Sequence, residues 1–146
     1  MGMMSEADEL AMIDRFIHDD PAASLAPVAS AQDVLRIQQA CRDVYVHQDL
    51  KKYIAALVRE TRSSNAEGGF ESGVSPRGTL SLLRASQGMA MTAGRDYVVP
   101  EDIKEVAVPV LAHRLISEDP GYAEKTAVIR GLLNKVPVPT EDWSRR

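Results

Sequence analysis

A chain of 146 residues and 16.0 kDa is one domain's worth of protein, and 45% hydrophobic with 26% charged residues is ordinary globular usage. That composition excludes a collagen-like or globally disordered chain, and no apolar run reaches the ~20 residues that span a bilayer. With 17 basic against 21 acidic side chains, the formal net charge of −4 argues against broad, charge-driven nucleic-acid binding.

Residues 1–20 are acidic before any long apolar block, which excludes a secretory signal and leaves a soluble, intracellular protein as the expectation. Leu10, Ile13 and Ile17 then recur at helical spacing behind Ser5. Ser5-Glu6-Ala7-Asp8 reads as a capping box with Asp in place of Glu or Gln. Pro21 ends this helix, and a loose segment runs to Ala29. Ser30 is the next N-cap; behind it Val34, Ile37, Cys41 and Val44 share one stripe. That stripe places Cys41 inside as a small hydrophobe rather than a reactive thiol. As the sole cysteine it also excludes an internal disulfide framework and suits a reducing cytoplasm.

Tyr45-Val46 is a short extended piece. Leu50, Tyr53, Ile54, Leu57 and Val58 follow the i, i+3, i+4, i+7, i+8 pattern of a third helix, with Lys51, Lys52, Arg59, Glu60 and Arg62 on its polar face. Ser63 to Val74 is loop, rich in Ser, Gly and Asn. A fourth helix starts at Ser75-Pro76-Arg77, where serine offers a capping oxygen and proline suits the first helical position. Leu80, Leu82, Leu83, Met89, Ala90 and Met91 give that helix a broad apolar face and a central place. Gly94 closes it as a C′ residue.

Arg95 to Val99 is β-prone and can pair with Tyr45-Val46. The fifth helix begins near Pro100-Glu101-Asp102, whose acids complement the helix dipole better than they form a catalytic pair. Pro109 falls inside its stripe of Ile103, Val106, Ala107, Val110 and Leu111 and is expected to kink or interrupt it. Ile129, Leu132, Leu133 and Val136 mark a sixth helix. Residues 137–146 lack a helical pattern, and 140–146 are expected to form a disordered tail. The fold class is all-α: one domain over 1–139, a bundle of five or six helices with at most one very short two-stranded β pairing.

The chain holds no G-x-x-x-x-G-K-[ST] phosphate loop, no G-x-S-x-G elbow and no H-E-x-x-H zinc motif. His18, His47 and His113 lack paired ligand spacing, so no metal site is expected. One constellation stands out, Gly73-Val74-Ser75-Pro76-Arg77-Gly78. It sets Arg77 in the first turn of a helix, where a cation is mildly unfavourable against the dipole. A guanidinium placed there suits a phosphate or other anion, which the helix N-terminus also favours. An ordinary solvated arginine explains the three residues S-P-R about equally well.

Gly73 to Ser86 resembles the sensor-2 helix of MoxR-type AAA+ ATPases, which typically reads G-A-S-P-R-A-x-x-x-L-x-x-A. Gly94-Arg95-Asp96-Tyr97-Val98-Val99-Pro100-Glu101-Asp102-Ile103 is similar to that family's G-R-D-Y-V-x-P-x-D-[VI] turn. Val108 to Leu115 is similar to its P-V-L-x-H-R-L segment, and Val44-Tyr45-Val46 and Val136-Pro137-Val138-Pro139 also match. The resemblance runs from about Ser5 to Pro139. Departures from the pattern include His47 where a Ser or Asp cap is common, Gly78 for a common alanine, and a longer loop over 64–72.

The resemblance implies the C-terminal helical lid domain of such an ATPase, with the Walker motifs upstream of Met1. It implies that ATP and Mg2+ bind in the complete protein, between the upstream nucleotide-binding domain and this lid. Arg77 would reach the γ-phosphate, Ser75 and Pro76 would shape its turn, and Arg84, seven residues on, would line the same cleft. Alone the chain is expected to be a monomer that neither hydrolyses ATP nor binds it tightly. The parent would form a hexameric ring in the cytoplasm and act as a chaperone-like remodeller, with von Willebrand factor A domain proteins among its partners. Two other readings compete: a stand-alone helical adaptor for protein partners, and a helix-turn-helix DNA binder. The last is weakest, because the helix from Ser75 is too apolar and the domain too acidic to lie in a groove.

Overall fold

The structure, a computed structural model, describes residues 4–17, 20–63, 73–116 and 121–144. Six α-helices stand among them: α1 (Glu6–Phe16), α2 (Ala31–Asp43), α3 (Gln48–Ser63), α4 (Pro76–Thr92), α5 (Pro100–Leu111) and α6 (Tyr122–Lys135). Short 3-10 turns occupy Pro21–Ser24 and Ala112–Arg114. The all-α class holds. No helix among the described residues is long and apolar enough to cross a membrane.

The chain divides into two compact units, Met1–Leu35 and Arg36–Arg146. In the first, the Ser5 hydroxyl accepts from the Asp8 N–H while the Asp8 carboxylate accepts from the Ser5 N–H, both at 3.3 Å. Ser30 and Asp33 repeat the device at the start of α2, at 2.9 and 3.2 Å. Both boxes satisfy N–H groups that a helix start leaves unpaired. The apolar stripe of α1 is exposed at Leu10, Ile13, Phe16 and Ile17, and Val34 on α2 is exposed too.

The second unit holds the core. Leu50, Tyr53, Ile54, Leu57 and Val58 of α3 are all buried, as their spacing requires. They pack with Leu82 and Ala90 of α4, Ile103, Ala107 and Leu111 of α5, and Ile129 and Leu132 of α6. His47 caps α3 in place of serine or aspartate: its Nδ1 accepts from the Asp49 N–H at 3.3 Å. Tyr45 and Tyr97 form one parallel β-bridge, with the Tyr45 N–H on the Asp96 carbonyl (2.8 Å) and the Val98 N–H on Tyr45 (2.9 Å). Gly94, at φ 72°, ends α4: its N–H bonds Met91 and that of Arg95 bonds Ala90, a Schellman closure.

Four side-chain expectations need correction. Leu80 is exposed and Leu83 only half-buried, because α4 buries one face rather than a broad arc. Cys41 is half-buried beside Gly88 rather than enclosed. Pro109 does not interrupt α5, which runs on to Leu111 before tightening into the 3-10 turn. Beyond α6 the described residues are non-helical, yet Val138 and Trp143 pack on the core, and Trp143 meets the His47 ring edge-on at 5.8 Å.

Candidate functional site

The turn that leads into α4 is pinned from behind by the end of α3. Thr61, buried, donates its hydroxyl to the Val58 carbonyl at 2.7 Å and accepts from the Val74 N–H at 3.0 Å. Arg62 donates through Nε to the Val74 carbonyl at 2.8 Å. Both polar groups of the Val74 peptide are therefore held, which a fully buried residue requires. Gly73 is needed for close approach: a Cβ there would lie 2.6 Å from the Thr61 carbonyl oxygen.

Ser75 is the N-cap residue in extended conformation, but its hydroxyl makes no capping bond, contrary to expectation. The turn is closed by backbone instead, the Gly78 N–H donating to the Ser75 carbonyl at 2.8 Å. Pro76 takes the first helical position, where its missing N–H leaves nothing unpaired. Ser75, Pro76 and Arg77 are all exposed. The Arg77 carbonyl accepts the Ser81 hydroxyl at 3.0 Å, while its guanidinium has no hydrogen bond or ion pair among the described residues. It is a cation on a fixed turn, at the positive end of a helix, with its donors uncommitted.

Arg84 is exposed and differently occupied. Its Nη1 donates to the Gln87 side-chain oxygen at 2.8 Å. Gln87, buried, donates in turn to the carbonyls of Arg42 (3.1 Å) and Val44 (2.8 Å), tying α4 to the end of α2.

A second arginine that sequence spacing did not single out reaches the Arg77 turn. Arg114, half-buried at the end of the 3-10 turn, donates Nη1 to the Val110 carbonyl and Nη2 to the Ser81 hydroxyl, the latter at 3.3 Å. No ion pair joins Arg62, Arg77 or Arg114 to a carboxylate among the described residues. By contrast Arg95 is spoken for: it grips Asp102 through both Nη atoms at 2.8 and 2.6 Å, and that hydrogen bond raises the guanidinium's pKa above its ordinary value. Asp102 also accepts from the Val99 N–H at 2.8 Å, so it caps α5.

No group of three or more metal-ligating side chains converges among the described residues. His47 caps α3, the His113 ring lies 3.0 Å from the Pro109 carbonyl, and His18 lies outside the described residues. What the arrangement offers is a positively charged turn suited to one anionic group.

Residues 62–130 match the AAA lid domain family. The chain is 31% identical over 144 residues to the uncharacterized protein YeaC of Bacillus subtilis, covering 97% of this chain and 44% of that protein. It is 31% identical over 148 residues to chaperone MoxR1 of Mycobacterium tuberculosis, covering 95% and 39%. Over 74 residues it is 42% identical to protein MoxR of Methylorubrum extorquens, covering 47% of this chain and 21% of that protein. The crystal structure of a candidate ATPase from Cytophaga hutchinsonii superposes with a TM-score of 0.78 at 33% identity, covering 96% of this chain and 45% of that one. The chain thus spans less than half the length of the curated relatives it matches.

Proposed function

This chain belongs to the lid domains of the MoxR-type AAA+ family, and from that premise we propose that Arg77 is its sensor-2 arginine. In the complete ATPase the lid closes over ATP held by the upstream nucleotide-binding domain, and the Arg77 guanidinium takes an oxygen of the γ-phosphate. The observation that carries this reading is the uncommitted Arg77 side chain on a turn whose backbone is fixed by Thr61, Arg62 and Ser81. A contact to the γ-phosphate exists with ATP and not with ADP. Differential contact of that kind is what lets a nucleotide move a domain. Mg2+ would be held with the nucleotide by the upstream domain. Ser75 and Pro76 set the turn, and Arg84, engaged by Gln87, supports α4 beside the cleft. The movement serves chaperone-like remodelling in a cytoplasmic hexameric ring, with von Willebrand factor A domain proteins as partners.

The test is steady-state ATP hydrolysis by Arg77→Ala in the complete protein, with thermal melts beside it. A charged hydrogen bond to a phosphate oxygen is worth roughly 1.5–3 kcal/mol, so turnover should fall about ten- to a hundredfold. The melt should stay in place, because removing a cation from a helix's positive end costs no stability. Arg77→Lys should recover part of the rate, keeping the charge but losing the planar fork. Wild-type turnover in Arg77→Ala with an unchanged melt would remove the role.

A further inference from the structure

We propose that Arg114 is a positioning residue for Arg77. The proposal rests on the sensor-2 reading above and adds a residue that acts through it. Three observations converge. Arg114 Nη2 donates to the Ser81 hydroxyl at 3.3 Å, and that hydroxyl donates to the Arg77 carbonyl at 3.0 Å, so one relay runs from the Arg114 head to the backbone that carries Arg77. The same guanidinium donates to the Val110 carbonyl, one of the carbonyls that the end of a helix leaves open. The fork therefore ties the last turn of α5 to the first turn of α4. Finally, its stem lies over Gly78: a Cβ there would come within 3.4 Å of the Arg114 Cδ.

A tie that only held two helices together would need no charge. Arg114 is a half-buried cation with no carboxylate partner among the described residues; its guanidinium meets the Val110 carbonyl, the Ser81 hydroxyl and the His113 Nε2, next to the helix turn that carries Arg77. Arg114 therefore acts by fixing where the Arg77 backbone stands rather than by touching phosphate.

The experiment uses the complete ATPase with Arg114→Met, which keeps the stem and loses the fork, and Ser81→Ala, which cuts the relay and leaves the Val110 bond. Each should lower kcat/KM for ATP about three- to tenfold while the Kd for ADP, which has no γ-phosphate, stays within about twofold of wild type. Arg114→Lys, able to make one of the two bonds, should recover part of the loss. In an Arg77→Ala background Arg114→Met should add less than about twofold, because it acts through a side chain already removed. Arg114→Met at wild-type kcat/KM beside an impaired Arg77→Ala would overturn the positioning role alone. So would an equal loss of ADP affinity, or the full Arg114→Met loss persisting without Arg77. A wild-type Arg77→Ala would overturn the sensor-2 reading and this role together.

Discussion

Replacing Gly78 by alanine brings a methyl group onto Val74. The new Cβ would lie 2.1 Å from Val74 Cγ1, against the ~3.5–4.0 Å at which two carbons rest. Val74 cannot retreat, because it is fully buried and both its backbone groups are bonded to α3 residues. Helix propensity alone would make alanine better by up to ~1 kcal/mol. Overpacking of a filled core costs about 1–3 kcal/mol, so Gly78→Ala should lower stability by about 1–2 kcal/mol. Val74→Ala should cost about 2 kcal/mol, for two buried methyl groups and the space they leave. The double variant restores the alanine pair of the family pattern and should cost under about 1 kcal/mol, since the methyl at 78 now enters the space left at 74. The coupling between the sites is then about 2–3 kcal/mol. Urea denaturation of the four proteins measures it. Additive effects within about 0.5 kcal/mol, or a stabilised Gly78→Ala single variant, would refute the packing argument.

Two further outcomes follow from named contacts. Asp102→Asn leaves the Arg95 fork facing an amide and should cost about 2–3 kcal/mol, toward the low end for a broken buried pair because the Arg95 side chain is a quarter exposed; urea denaturation reads it, and wild-type stability would show the pair to be idle. The Asp33 carboxyl is held below the ordinary aspartate value of 3.8 by the Ser30 hydroxyl and then the Ser30 N–H. A depressed folded value stabilises the cap above the unfolded value and is lost as pH falls through the folded one. A carboxyl NMR titration should therefore give Asp33 a midpoint below 3.8 that returns toward it in Ser30→Ala; an ordinary midpoint in the parent would contradict the cap.

The α3 stripe, the Ser5 box, the Ser30 cap and the Gly94 closure were legible because each is local: period, cap and left-handed turn all lie within one or two helical turns. Arg77 was legible as an oddity, a cation at the wrong end of a helix, although its role came from resemblance. The pins around it were not. Thr61 reaches Val74 from 13 residues away, and Arg114 reaches Ser81 from 33. No periodicity encodes such meetings, since tertiary packing sets them. Ser75 shows the converse failure: its type and place fit an N-cap, but the turn was already closed through the Gly78 N–H. Trp143 was lost for a similar reason, because a single aromatic after a proline-broken segment has no pattern to reveal its packing.

The contact between Arg77 and the γ-phosphate is open to direct observation. A crystal structure of the complete ATPase with a non-hydrolysable ATP analogue and Mg2+ should place an Arg77 guanidinium nitrogen about 2.7–2.9 Å from a γ-phosphate oxygen. The same protein with ADP should show no phosphate within reach of that side chain. A closed, ATP-analogue-bound site in which Arg77 faces solvent and another cation holds the γ-phosphate would contradict the account.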